Sequence, residues 1–302
     1  MNQIEKLGQA ASGLGCKVLY NEQMCKHTTF KIGGPADLFV TVSSQSALQQ
    51  LVQTASDFQV PFMAIGNGSN MLVNDTGIRG LVLTLDDEFI KIQLCENDKI
   101  ECGSAVTLAK LCNFAMKNNL TGLEFAWGIP GSSGGAAFMN AGAYGGEMKQ
   151  VLVSCKHMTD TGKISVLTGD ELHLSYRNSI YSSNKAIILS LTLQLNKGSQ
   201  EQIAITMEDL LNRRKSKQPL ELPSAGSVFK RPDGNFAGTL IEQCGLKGKR
   251  VGGAMVSQKH AGFIVNNGGA TCEDVLNLIE IIQSTVLQQT GVVLECEIKT
   301  IG

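Results

Sequence analysis

Residues 123–146, LEFAWGIPGSSGGAAFMNAGAYGG, constrain the fold of this chain more than any other stretch. Glycine recurs at 128, 131, 134, 135, 142, 145 and 146, and the rest is largely apolar or carries a small hydroxyl or amide. Such a segment is too apolar for a solvated linker and too rich in glycine for an ordinary helix. Glycine lacks Cβ, so it suits backbone that bends at positive φ or presses directly on a ligand. Runs of bare N–H groups also form concave nests that attract phosphate oxygens. The expectation is a large phosphorylated ligand lying against this backbone.

The 302 residues leave room for one large or two moderate domains with a substantial core. With 43% hydrophobic and 18% charged residues, the composition is globular. Twenty-six basic residues against 27 acidic ones give a net charge of −1. That argues against nucleic acid as the partner, because binding a phosphate backbone normally shows as a basic excess. The local clusters at 213–217 (RRKSK) and 247–250 (KGKR) stand equally as solvated ends or as anion sites. Nine cysteines lie without CxxC pairs and four histidines without an HExxH, so no metal site is expected. Free thiols at this frequency suit a reducing cytosol. The first fifteen residues include Glu5 and Lys6 and lack the apolar core of a signal peptide. No apolar run approaches membrane-spanning length. A soluble, cytoplasmic protein with no membrane, nucleic-acid or obligatory protein partner is expected.

Along the chain, Ile4, Leu7, Ala11 and Leu14 recur at helical spacing, and Leu48, Leu51, Val52 and Ala55 do so within 46–58. Strand patterns occupy 37–42, 61–65, 80–85, 89–94 and 100–102, and helix returns over 107–118. After the glycine-rich stretch come a hairpin over 151–167 turning at Asp160-Thr161-Gly162, and a strand over 187–195. Residues 196–199 read as a linker, followed by a charged helix over 201–215. Beyond it lie a strand near Ser227, a helix near Leu240, a strand over 262–266, a helix over 272–288 and a strand over 292–300. The class is α+β in two parts, dividing near residue 198.

A second glycine loop, Gly66-Asn67-Gly68-Ser69-Asn70, follows the 61–65 strand. Strand followed by G-x-G invites a Rossmann reading, with Asp86 about twenty residues on as the ribose acid. The third glycine is missing, however, and Met71-Leu72-Val73-Asn74 continues as strand where a helix N-terminus is needed. Alone the loop is a tight turn; with the 128–146 segment it forms half of a two-sided phosphate cradle.

Six motifs in order carry a family resemblance: HTTFKIGGPAD from His27, GNGSN from Gly66, the Gly128–Gly146 segment, SYRNS from Ser175, AGSVFK from Ala225 and LECE from Leu294. From about residue 25 to the C-terminus the chain closely resembles the UDP-N-acetylenolpyruvoylglucosamine reductases, in their shorter form. No room is visible between Tyr181 and Ile187 for the longer form's tyrosine-bearing loop. The resemblance implies a two-lobed FAD-binding domain of the vanillyl-alcohol-oxidase (PCMH) type over 25–198, after an N-terminal helical segment over 1–24. A smaller α+β substrate domain follows over 199–302. It implies noncovalent FAD, since no histidine or cysteine stands out as a tether, with NADPH as co-substrate and a role in peptidoglycan precursor synthesis. Gly66, Asn67, Gly68, Ser69 and Asn70, with Gly128, Ile129, Pro130, Gly131, Ser132, Gly134 and Gly135, are the expected pyrophosphate loops. Asn140 and Gly142 are expected near the flavin.

The family's reaction adds hydride to an enolpyruvyl double bond beside a carboxylate, so charge builds up as an enolate and one proton must be delivered. Arg177 matches the family arginine; a planar guanidinium can grip a carboxylate through two parallel hydrogen bonds. Otherwise it is a surface ion-pair residue. Ser227 matches the family's proton donor, although by position alone it is equally a turn residue and Ser224 is an equal candidate. Glu297 matches the third catalytic residue. Alternation over 294–299 would bury Leu294, Cys296 and Ile298 and place Glu295 and Glu297 on the other face, with Glu295 simply solvated. Tyr176, Lys217, Lys230, Lys247, Gln258 and His260 are the expected substrate contacts. Two other readings share the scaffold: an oxidase with a tethered flavin, and a flavin-binding relic that has lost one of the three catalytic groups.

Overall fold

The computed structural model describes residues 2–302, which separate into two compact units. Its helices are α1 (Gln3–Gly13), α2 (Gln45–Asp57), α3 (Leu108–Lys117), α4 (Ser133–Phe138), α5 (Gln200–Lys217), α6 (Ala237–Gln243) and α7 (Cys272–Thr290).

The first unit holds residues up to Tyr20, Leu38–Asn67 and Gly80–Arg213, and two cores build it. One core gathers Leu7 and Ala11 of α1 with Leu48, Leu51, Val52 and Ala55 of α2. These helices cover Leu38, Val40, Leu81 and Leu83 of a sheet ordered Lys17–Gln23, Pro35–Val42, Ile78–Leu85, Phe62–Ala64. The face that α2 buries is the one its spacing predicts, and Ser44 caps its start by accepting from the Ala47 amide. The other core holds Leu108, Leu111, Phe125, Leu152, Leu191 and Leu193. Its sheet is ordered Ile164–Thr168, Leu152–Met158, Ile187–Gln194, Lys99–Gly103, Ile92–Cys95 and is antiparallel throughout.

Strand Ile187–Gln194 serves both cores. A register shift between Lys156 and His157 turns Ile187 and Leu189 toward the first core, and Ile188, Leu191 and Leu193 toward the second. A bulge re-aims side chains in this way because one extra residue breaks the alternation of faces. The unit therefore has the two lobes expected of it.

Several elements differ from expectation. Residues 17–23 form a strand rather than extending a helical N-terminal segment. Residues 87–90 make a 3-10 turn, and the strand expected over 89–94 begins only at Ile92. Asn196–Lys197 pairs with Leu120–Thr121 instead of running as a linker, and Ile203 and Met207 of α5 enter the second core. The contacts accordingly divide inside α5, after Arg213, rather than near residue 198.

The second unit comprises Asn21–Asp37, Gly68–Arg79 and Arg214–Gly302. An antiparallel sheet ordered Ser224–Ser227, Phe263–Asn266, Ala254–Val256, Arg250–Val251 packs with α6 and α7 around Leu240, Ile241, Val256, Ile264, Val275 and Leu278. Phe30, Ile32 and Leu72 complete this core. Met71–Val73 runs parallel to Lys299–Ile301, which ties the upstream segments to the C-terminus. Only those last residues of the expected 292–300 strand form one. Before them the chain is irregular, and Cys296 is exposed instead of turning inward with Leu294 and Ile298. Its bridge to Phe229 is isolated, so no continuous ladder enforces alternation there.

Candidate active site

In the first unit the two glycine loops are pressed together. A Cβ on Gly66 would be driven into the hydroxyl of Ser132. Ser132 in turn caps α4, accepting from the Gly135 amide at 3.2 Å. Residues 131–134 are threaded against 103–108. The Leu108 amide donates to Gly131 O (3.0 Å), the Ser133 amide to Val106 O (2.7 Å) and the Gly134 amide to Ser104 O (2.8 Å). The Ser133 hydroxyl donates to Gly103 O at 2.6 Å. Where the sequence suggested a bare nest, the amides of Ser133, Gly134 and Gly135 are thus committed to protein acceptors. What remains is a close junction of the two loops, in which the missing Cβ of Gly66 makes room for the Ser132 hydroxyl.

The contacts divide between Asn67 and Gly68. In the second unit Gly68 sits at φ +59°, and a Cβ there would strike the His27 carbonyl. Its own carbonyl accepts from the Thr29 amide at 3.2 Å. Asn70 reaches further. Its side-chain amide donates to Glu297 O (3.2 Å), and its carbonyl accepts from the Lys299 amide (3.0 Å). The loop singled out for the cofactor therefore also holds the segment bearing the candidate catalytic glutamate.

Ser227 and Glu297 lie on neighbouring segments of this unit. Ser227 follows Gly226, at φ +80°, and pairs with Phe263 after a register shift from Ser224. The Glu297 amide donates to Val228 O at 2.7 Å, and the Lys230 amide to Glu295 O at 2.8 Å, so 228–230 runs against 295–297. Both Ser227 and Glu297 are half-buried. Ser224, the equal candidate by sequence, pairs with Val265, and its carbonyl accepts from the Thr29 hydroxyl at 2.7 Å. The Lys230 ammonium pairs with the Glu295 carboxylate at 3.0 Å, so Glu295 is at the surface but ion-paired rather than simply solvated.

Arg177 belongs to the first unit and sits in a tight turn. Ser175 and Asn178 exchange amide-to-carbonyl bonds, each 3.1 Å, and Arg177 occupies the turn at φ +54°. A side chain at positive φ is uncommon and is held only where its surroundings insist on it. The guanidinium lies 5.5 Å from the ring centre of the exposed Tyr176. Gly142 pairs with Glu147 across a two-residue turn, Tyr144-Gly145, both at positive φ as the tight hairpin requires.

Of the expected substrate contacts, Lys247, Gln258 and His260 gather in the second unit. Gly248 packs so closely on Gln258 that a Cβ would overlap its carboxamide. Burial, with a smaller contribution from the Lys247 charge, holds the His260 imidazole below its ordinary value of 6.5. The Gly262 amide donates to Nδ1 of His260 (3.1 Å), so the neutral ring carries its proton on Nε2 as a donor. Lys247 pairs with Glu242 at 2.6 Å. Lys217 is exposed at the end of α5. Glu147 and Ser179, for which no role was expected, brace the Asn140 and Arg177 segments. Ser179 closes the SYRNS motif, and Glu147 directly follows the glycine-rich segment. Among the described residues, no group of His, Cys, Asp or Glu could hold a metal ion, and no helix is long and apolar enough to cross a membrane.

Residues 36–168 match the family described as FAD binding domain, and residues 218–301 match the UDP-N-acetylenolpyruvoylglucosamine reductase C-terminal domain. Two curated proteins named UDP-N-acetylenolpyruvoylglucosamine reductase are similar over nearly their whole length. That of Clostridium novyi is 48% identical, covering 93% of this chain and 91% of its own. That of Lachnoclostridium phytofermentans is 49% identical, covering 95% and 93%. The solved structure of the corresponding reductase from Thermus caldophilus superposes with a TM-score of 0.81 at 35% identity, covering 95% of this chain and 99% of that one.

Proposed function

The chain belongs to the UDP-N-acetylenolpyruvoylglucosamine reductase family, and from that membership we propose that it reduces UDP-N-acetylglucosamine enolpyruvate to UDP-N-acetylmuramate with NADPH, in the cytoplasm, for peptidoglycan synthesis. It is an FAD-containing oxidoreductase. Bound FAD supplies the hydride carrier between NADPH and the enolpyruvyl double bond. Residues 66–70 and 128–135 would hold the cofactor's diphosphate; the two loops approach closely where Gly66 leaves room for the Ser132 hydroxyl. Nine free cysteines support a reducing compartment.

The remaining work falls to side chains. Arg177 holds the substrate carboxylate in a bidentate grip and stabilises the charge that accumulates there as hydride arrives. Ser227 delivers the proton to the carbanionic carbon; a weak acid suffices because that carbon is strongly basic and the hydroxyl is already in place. Glu297 assists from the other side of the carboxylate, as a protonated or Arg-paired group. Lys230 faces the substrate or the nicotinamide phosphate, Tyr176 contacts the substrate, and Lys217, Lys247, Gln258 and His260 contact the uridine diphosphate portion. There the Nε2–H of neutral His260 donates without adding charge. The cofactor part falls mainly to the first unit and the substrate part mainly to the second.

The observation that carries this assignment is the similarity to the named reductases over nearly the whole chain. The 2.7 Å bond from the Glu297 amide to Val228 O, which joins the backbones of the 227–228 and 297 segments, supports the roles of Ser227 and Glu297. Purified protein should be yellow, release FAD on denaturation, and oxidise NADPH only when the enolpyruvyl substrate is added. A colourless preparation, or NADPH oxidation driven by oxygen alone, would overturn it.

A further inference from the structure

Asn140 is 1% exposed, sits at φ +43°, and has its carboxamide engaged on three sides. Its Nδ2 donates to Glu147 Oε2 (3.1 Å) and to Ser175 O (3.0 Å), and its Oδ1 accepts from the Lys149 amide (2.8 Å). These partners determine the orientation of the amide. The flipped form would set Oδ1 against a carboxylate and a carbonyl, and Nδ2 against an N–H. A carboxamide has two N–H donors, and both are spent inside the protein. Asn140 therefore has no hydrogen to offer a flavin.

Its donors go instead to the turn that carries Arg177. Ser175 O accepts from Asn140 Nδ2 and also from the Asn178 amide, which closes that turn at 3.1 Å. The far end is tied to the same stretch of chain: the Ser179 hydroxyl donates to Phe138 O, the last residue of α4, at 2.5 Å. Two bonds thus span from 138–140 to 175–179 and bracket the one residue of the turn at positive φ. Strained backbone of this kind persists only where neighbours over-determine it.

We propose that Asn140 is a positioning residue for Arg177, clamping the Ser175 carbonyl so that the guanidinium meets the substrate carboxylate, rather than a contact of the cofactor. The proposal rests on the assignment of Arg177 to that carboxylate. Asn140→Asp keeps the shape and the acceptor for the Lys149 amide but removes both donors. In the holoenzyme, stopped-flow spectra follow bleaching of the flavin band by NADPH and its recolouring by the enolpyruvyl substrate. Amide exchange at Asn178 reports the turn directly. In Asn140→Asp, recolouring should slow by roughly 10- to 100-fold more than bleaching, the size expected when a reacting group is misplaced. The Asn178 amide should exchange faster. Glu147→Ala, which frees one side of the carboxamide, should shift both readouts the same way by less, and Glu147→Gln, which keeps a carbonyl acceptor, should restore them. Slowing of both half-reactions in equal measure, loss of FAD, or unchanged exchange at Asn178 would overturn the proposal. Wild-type enzyme that is bleached but never recoloured by the substrate would instead overturn the reaction assignment, and exchange at Asn178 would then judge the clamp alone.

Discussion

Gly68 and Gly145 both sit at positive φ, at +59° and +87°, yet alanine should cost them very different amounts. At Gly145 nothing lies within reach of a Cβ, so only the strained dihedral counts, about 1 kcal/mol. At Gly68 the Cβ meets the His27 carbonyl, a backbone atom that cannot swing aside. Gly68→Ala should therefore lose roughly 2–4 kcal/mol in chemical denaturation, since the clash adds to the strain. Equal losses at the two sites would show that the 27–28 backbone gives way. Two histidines, His157 buried and His260 half-buried, add a pH dependence. Burial holds both His157 and His260 below 6.5 in the folded protein. The unfolded chain therefore takes up protons first as pH falls. The stability these residues contribute is complete above the unfolded value and is lost as pH drops through the lowered folded values. Denaturation midpoints should fall between about pH 7 and pH 5, and His260→Gln should flatten that slope. At this scale the glycines, Arg177, Ser227 and Glu297 stand out in the sequence because each is a chemical type with few substitutes. Asn140 stood out by its place in the glycine-rich segment, but its hydrogen-bond partners did not. They come from 147, 149 and 175, joined only by the folded chain.

Among elements, the long amphipathic helices follow their spacing, because each buries one apolar stripe against a sheet. The short pieces do not. Asn196–Lys197 and Leu120–Thr121 are two-residue strands that exist only as each other's partners, and no periodicity can signal them. The 292–298 stretch alternates in sequence yet is not a strand, since an isolated bridge at Cys296 does not enforce alternation. α7 shows a comparable long-range device. Besides Thr271 and its capping box, the Asp75 carboxylate accepts from the Cys272 and Glu273 amides at 2.8 and 3.1 Å. Helix N-termini leave such amides unsatisfied and favour negative charge. Asp75→Ala should cost about 1–2 kcal/mol in urea denaturation, and Asp75→Asn less, because it keeps one acceptor. No loss in the alanine variant would mean that solvent replaces the cap at no cost.

At the level of the whole molecule, order along the chain carried the assignment. Each glycine loop alone is a turn, and each catalytic candidate alone is a surface residue, but six motifs in sequence identify the family that the relatives bear out. The path between units was hidden. Residues 21–37 and 68–79 join the C-terminal unit because Met71–Val73 pairs with Lys299–Ile301 and because Phe30, Ile32 and Leu72 fill its core. Parallel pairing across more than two hundred positions leaves no local trace. The same discontinuity brings the Asn70 side-chain amide onto the backbone carbonyl of Glu297. The most direct test of the central claim is a stopped-flow comparison of wild type with Ser227→Ala, following the flavin band through both half-reactions. If Ser227 delivers the proton, bleaching by NADPH stays near the wild-type rate, while recolouring by the enolpyruvyl substrate slows by roughly 100-fold or more. Equal slowing of the two phases would assign Ser227 a purely structural part and contradict the account.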